Sequence, residues 1–258
     1  MRRMDFNAEK MYHIGLAPDQ GAPYALLTGD PGRVESIAQR LDEPVFLACS
    51  REYRSFAGRL EGERVLVISH GIGGPSTAIC AEELYRCGVR TMIRVGTCGG
   101  MALDVVGGDV VVATAAIRAE GTSREYLPIE FPAVADMEVA AALVRAARAA
   151  GRRVHAGVVH CKDSFYGQHS PEASPVSYAL LDRWQAWLRG GCLASEMESA
   201  ALYIVGASLG FRAGCVLEAV WNQEREKAGM PNPRAAEGAV SAAETAVEAL
   251  RLLIRGDK

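Results

Sequence analysis

Met92-Ile93-Arg94-Val95-Gly96-Thr97-Cys98-Gly99-Gly100 joins an apolar run to a row of small residues. The run Met92 to Val95 reads as a buried strand, and the glycines after it read as a turn. Arg94 stands one residue before the expected strand end. Glycine lets a backbone approach a ligand and present its N–H groups. An arginine adds a planar fork that matches phosphate. The same residues also suit a plain tight turn around a satisfied arginine, so the stretch takes its meaning from its neighbours.

Two other segments repeat the pattern. Tyr24 to Leu27 reads as a buried strand that runs into Thr28-Gly29-Asp30-Pro31-Gly32-Arg33, with a helix from about 32 to 41. Val65 to Ser69 runs into His70-Gly71-Ile72-Gly73-Gly74-Pro75-Ser76, with a helix to about Cys87. Neither is a Walker loop, and the third glycine of a dinucleotide fingerprint falls at Ser76. Three strands thus end in glycine-rich turns. In an open α/β sheet, ligands bind beyond the carboxyl ends of the strands.

Further strands are expected at 45–48, 53–60, 109–117, 154–161 and 212–220, with Arg51 and Glu52 in the link between the first two. Helices are expected at 137–150 and 177–188, in a very apolar segment that 194–201 leads into and that ends near Gly210, and at 235–253. The segment 120–135 reads as a loop. Lys162 to Pro171 is polar and aromatic: Phe165 suits stacking on a heterocycle and Gln168 suits hydrogen bonding to its edge. A surface loop anchored by Phe165 fits the same residues. In Glu196-Met197-Glu198, the first glutamate reads as compensation of a helix N-terminus. The second opens a very apolar segment, where an unpaired carboxylate is rarely placed. Trp221 to Pro233 is charged and reads as a candidate lid. Strands alternating with helices predict a single α/β domain over 12–254, with residues 1–11 as an arm.

The chain has 258 residues and a net charge of −3, which does not favour nucleic acid or an anionic membrane as partner. No apolar stretch approaches the about 20 residues of a membrane span. Met1-Arg2-Arg3-Met4 is followed by no apolar run of the kind a secretory signal needs. The seven cysteines are scattered without a paired motif, as expected for reduced thiols in the cytoplasm. The histidines show no zinc spacing, there is no nucleophile elbow, and Cys98 has no evident base.

Gly29 to Arg33, Ser50-Arg51-Glu52-Tyr53, Gly71 to Ser76, Arg94 to Gly99, Phe165-Tyr166-Gly167-Gln168 and Glu196-Met197-Glu198-Ser199 together resemble the nucleoside phosphorylase-I family, in particular its uridine-cleaving branch. The resemblance runs from about Tyr12 to Leu253. It implies a three-layer α/β/α domain around a mixed sheet. It also implies reversible phosphorolysis of uridine, or deoxyuridine, to uracil and a pentose 1-phosphate, with phosphate as co-substrate and no organic cofactor. Carried over residue by residue, Gly29, Arg33, Arg94 and Thr97 bind phosphate, and Arg51 reaches the phosphate of a neighbouring subunit. His13 of that neighbour, Thr97, Met197 and Glu198 hold the ribose. Cys98, Gly99, Phe165, Gln168 and Gln223 face the base, and Arg94, Glu198 and Gln168 carry the catalysis. The family precedent is a hexamer built as a trimer of dimers. Glu52, Ile72 and Ser76 match positions that hold a potassium ion between subunits in some members.

Three positions depart from that pattern. Ser170 and Gln223 stand where arginines are usual in the uridine enzymes, and Cys98 stands where threonine is common. Gln168, Gln223, Lys162 and His169 remain as polar partners for the base. A purine nucleoside phosphorylase is the nearest alternative; its members place an acidic aspartate in the segment that reads Ala219 to Gln223 here, where Asn222 has no acid proton. A nucleosidase using water and a non-catalytic nucleoside binder fit the retained arginines and Glu198 less well.

Overall fold

Tyr24–Thr28 (β1) is buried along its whole length, as a strand covered by helices on both faces must be. The computed structural model describes residues 9–235 and 238–257. Residues 1–8, most of the expected N-terminal arm, and residues 236–237, in the expected start of the closing helix, lie outside the described residues. After β1 the chain makes a short 3-10 turn, with the Asp30 side chain accepting from the Gly32 N–H, and enters Val34–Ala38 (α1). Asp42–Ser50 (β2), Tyr53–Leu60 (β3) and Glu63–Ser69 (β4) form an antiparallel meander. Gly74–Arg86 (α2), Thr91–Gly100 (β5), Val110–Ala119 (β6), Ala133–Val134 (β7) and Met137–Ala149 (α3) follow. Then come Val154–Lys162 (β8), Phe165–His169 (α4), Ser177–Arg189 (α5), Ala194–Glu196 (β9), Ser199–Leu209 (α6), Arg212–Asn222 (β10), Gln223–Lys227 (α7) and Val240–Asp257 (α8).

β1 lies between β4 and β5, parallel to both. β5 also pairs parallel with β10, β10 antiparallel with β6, β6 parallel with β8, β8 parallel with β9, and β9 antiparallel with the end of β5. Five strands therefore close into a ring, and β1, β4, β3 and β2 extend from it as an open wing. Alternation sorts the side chains into two cores. Ala25, Leu27 and Met92 pack with Ala81 and Leu84 of α2 and with Leu202 and Val205 of α6. Leu26, Ile93 and Val95 pack with α1, α3 and α8 on the opposite face. This is the expected three-layer arrangement around a mixed sheet. The first and second tryptophans close a smaller cluster, with Trp184 on Met101 and Cys192 and with Trp187 beside them.

Two local expectations change, and a third segment gains detail. The glycines after Val95 form no turn: β5 continues to Gly100, because β10 pairs with it all the way to Gly100 and β9 pairs with Gly99 and Gly100. Within Lys162–Pro171, residues 165–169 coil into the single short helix α4, capped by the Ser164 hydroxyl. Trp221 to Pro233, the candidate lid, is held to the body of the domain by hydrogen bonds. Trp221 and Asn222 finish β10, and the Asn222 side chain accepts from the N–H groups of Glu224 and Arg225 while donating to the carbonyls of Ala102 and Val105. The Asn232 amide clasps both backbone groups of Asn222, and Arg225 donates to the Pro231 and Leu103 carbonyls. Among the described residues no helix is long and apolar enough to cross a membrane.

Candidate active site

The carboxyl ends of β1, β4 and β5 lie side by side and open into a cavity of about 730 Å³. That volume is in the range of small-molecule sites. Gly29, Arg33, Gly71, Arg94, Thr97, Cys98, Gly99, Phe165, Gln168, Met197 and Glu198 all reach its wall, so segments from five parts of the chain converge there.

Arg94 occupies the floor. It is buried, and its Nε donates to Glu196 Oε2 at 3.1 Å, its Nη2 to Glu198 Oε2, and its Nη1 to His70 Nε2 at 3.3 Å. One N–H on each terminal nitrogen remains for a ligand. Burial opposes its charge, but the carboxylates of Glu198 and Glu196 outweigh that and raise its pKa. His70 is held by a chain of bonds in which Nδ1 meets Thr77 Oγ1 at 3.1 Å and Thr77 donates to the Gly73 carbonyl. Burial and the neighbouring arginine push the His70 pKa well below the usual histidine value, so it stays neutral and accepts from Arg94. His70 was absent from the expected site residues. Its place at the end of β4, directly before Gly71, is the signal that pointed to it.

The two glutamates divide the work at the start of α6. Glu196 accepts from the N–H groups of Glu198 and Ser199 and from the Ser199 hydroxyl, so it caps the helix as expected, and it also grips Arg94. Burial alone would raise its carboxyl, but Arg94 and these hydrogen bonds hold it below the usual range. Glu198 accepts from the Gly73 N–H at 2.6 Å and from Arg94. Burial pushes its pKa up despite Arg94. Glu198 thus ties the β4–α2 turn to the arginine and lines the cavity between them. Gly71 makes that turn compact: its φ is +71°, and a Cβ there would lie 2.7 Å from Ser76 Oγ.

The other part of the cavity is built around Ser195. It pairs with Gly99 across β5 and β9 and with His160 across β8 and β9. Its hydroxyl donates to Gln168 Oε1 at 2.6 Å and accepts from Lys162 Nζ at 2.8 Å. Gln168 Nε2 in turn donates to Gln223 Oε1 at 3.1 Å. Gln223 is outside the cavity lining and meets this network through Gln168. The aromatic wall runs from Phe165 over His169 at 4.3 Å to Trp221 at 6.1 Å from that imidazole. His160 lies behind, against Trp187 at 4.0 Å, and burial lowers its pKa to about 3. Burial also drives the Cys98 thiol far above its usual pKa, which removes it as a nucleophile. Ser195 and Trp221 were not expected as site residues; Ser195 gave no signal beyond its place beside Glu196.

Asn222 is wholly buried and its amide is spent on backbone groups, so Val220 and Trp221 line the cavity from that segment. His13 and Arg51 are outside the lining. The His13 ring bonds Glu83 at 2.7 Å and stands 4.7 Å from the exposed Tyr12 ring, over which Arg51 sits at 5.8 Å. Glu52 and Ile72 touch the cavity edge, and Ser76 donates to Glu52 at 2.6 Å.

A model of the phosphorylase superfamily matches residues 23–255. The chain belongs to the phosphorylase superfamily. As a phosphorylase it is 48% identical to the uridine phosphorylase of Treponema pallidum (strain Nichols), over 99% of this chain and 98% of that one. It is 42% identical to the uridine phosphorylase of Escherichia coli (strain K12), over 95% and 98%. A guanosine phosphorylase from Halorubrum lacusprofundi is 39% identical over 74% and 75%. Superfamily membership fits a cavity that gathers arginines and backbone N–H groups at one part and an amide beside aromatic rings at another.

Proposed function

We propose that the chain catalyses reversible phosphorolysis of uridine, and of deoxyuridine, yielding uracil and the pentose 1-phosphate. The single observation that carries this reading is the Arg94–Glu198 contact: one phosphate-type arginine and one sugar-type carboxylate share a cavity with Gln168. Gly29, Arg33, Arg94 and Thr97 hold phosphate through charge-assisted hydrogen bonds, each contributing about 1.5–3 kcal/mol. Glu198 and Met197 hold the ribose, and the carboxylate favours the positive charge that grows on the sugar ring. Holding phosphate and C1′ in line supplies much of the rate. Gln168 offers an acceptor and a donor side by side, the complement of an imide N–H and its neighbouring carbonyl, with Phe165, Cys98 and Gly99 against the ring.

The same reading makes the working unit a pair of chains, assembled three pairs to a hexamer in the cytoplasm. His13 and Arg51 lie together outside this chain's cavity, which supports their serving a neighbour. The seven free cysteines support a reducing setting. Glu52, Ser76 and the Ile72 backbone offer oxygen donors of the kind potassium takes, with Glu52 held anionic by its bond from Ser76.

Purine phosphorolysis is the second reading, supported by the guanosine phosphorylase relative. Incubation with uridine, deoxyuridine, thymidine, inosine and guanosine, with and without phosphate, separates the two by absorbance. Phosphate-dependent base release from uridine is expected. Release from the purines alone overturns the pyrimidine reading, and release without phosphate overturns phosphorolysis.

A further inference from the structure

Phosphorolysis creates a charge that the residues assigned above do not meet. A phosphate oxygen attacks C1′ while the C1′–N1 bond breaks. The electron pair of that bond stays on N1, and the pyrimidine departs as an anion spread over its carbonyl oxygens. It then takes up the proton that phosphate gives up as the ester forms. A cavity that lowers this barrier needs positive charge beside the base as well as beside phosphate.

Arg33, Arg94 and Lys162 are the lysine and arginine side chains in the cavity wall. Arg94 is committed to Glu196, Glu198 and His70. Arg33 stands by Asp30, at 3.8 Å, beyond β1. Lys162 closes β8 on the same face as His160, is 7% exposed, and bonds Ser195, which bonds Gln168. The other basic groups nearby, His169 and His160, whose Nδ1 meets Ser195 Oγ at 3.2 Å, are both lowered below the usual histidine pKa by burial and by Lys162, so they are neutral. Among the described residues no carboxylate lies within ion-pair distance of Lys162 Nζ; burial lowers its pKa, and the carboxylate that most opposes this, Glu196, is already claimed by Arg94 and the start of α6. A buried ammonium without an ion-pair partner is costly. An anionic ligand in the cavity removes that cost.

We propose that Lys162 is the base-side cation of this enzyme, stabilising the negative charge on the departing pyrimidine and, through Ser195, setting the orientation of the Gln168 amide. The ammonium donates to Ser195, so the serine proton is turned to Gln168 Oε1 and the amide nitrogen is turned to Gln223. That leaves the amide with its oxygen and nitrogen fixed in one order for the base edge.

The proposal rests on the phosphorolysis reading, and the test keeps the two apart. Steady-state kcat and KM are measured with uridine and with 5-fluorouridine, whose base is the more stable anion, for wild type, Lys162→Met, Lys162→Gln and Lys162→Arg. Loss of the cation lowers kcat on uridine by ~100-fold, the scale of one charge-stabilising donor, but on 5-fluorouridine by only ~10-fold. KM stays within about threefold, because the charge appears only in the transition state. Lys162→Arg recovers most of the rate. Equal losses on the two substrates, or a change confined to KM, overturn the role of Lys162. Wild type inactive on both substrates with phosphate overturns phosphorolysis and this inference with it. Lys162→Gln, which keeps a donor to Ser195, decides the matter where Lys162→Met does not fold.

Discussion

Gly96 leaves the space that Arg94 fills: a Cβ on Gly96 would lie 2.6 Å from Arg94 Nη1 and 2.8 Å from its Cζ. Residues two apart on a strand share a face. The arginine therefore folds back over its own strand only because position 96 carries no side chain. The guanidinium reaches Glu196 and Glu198 from there.

Gly96→Ala is expected to push the guanidinium off both carboxylates. The KM for phosphate should rise by at least about tenfold, since a displacement near 1 Å is costly in a positioned site. Phosphate titration at saturating uridine checks this. An unchanged phosphate KM would show that Arg94 does not need its present pose.

Glu196→Ala removes one of the two carboxylate partners of a buried arginine and the cap of α6 together. Breaking a buried pair from one side costs about 3–5 kcal/mol. Urea unfolding should show a loss of that size, and Glu198→Ala should cost less, because the α6 N–H groups keep their acceptor.

Acid should weaken the fold through His160. Its folded pKa is about 3 against an ordinary 6.5, because burial disfavours the cation. The unfolded chain binds the proton first, so the neutral imidazole's contribution is complete above about pH 6.5 and is lost as pH falls towards 3. His70 acts in the same direction. Denaturation midpoints measured between pH 7 and pH 5 should fall in wild type and fall less steeply in His160→Phe.

Arg118 organises the segment 120–131. Its guanidinium donates to the carbonyls of Ser123, Leu127, Pro128 and Phe131 and to the Ser123 hydroxyl. Arg118→Leu leaves those acceptors without their donor, at about 1–3 kcal/mol for each that stays buried. Faster cleavage within 120–131 under limited proteolysis is the expected readout, with the rest of the chain protected.

Local pattern made much of this molecule legible. The apolar runs at β1, β4 and β5 and the glycines beside them located three segments that meet at one cavity, two of them true strand ends. The amphipathic stretch Met137 to Ala150, stopped by Gly151, was legible as a helix and forms Met137–Ala149, capped by Asp136. Less visible were the elements whose state depends on a distant partner. β9 is three residues long, too short for periodicity to register, and exists because β5 and β8 flank it. The tethering of Trp221 to Pro233 hangs on Asn222 and Asn232, whose targets include the carbonyls of Ala102 and Val105.

The amino-acid sequence by itself determined the strand–helix alternation, the glycine-rich strand ends and the residue types gathered there. Each of these is written in neighbours a few positions apart, where side-chain period and turn chemistry act. Tertiary structure alone decided that β5 runs straight through its glycines, that Arg94 meets Glu196 across 102 residues, and that Lys162, Ser195 and Gln168 form one chain of hydrogen bonds. Those contacts depend on strand register and on closure of the ring, which no local pattern encodes.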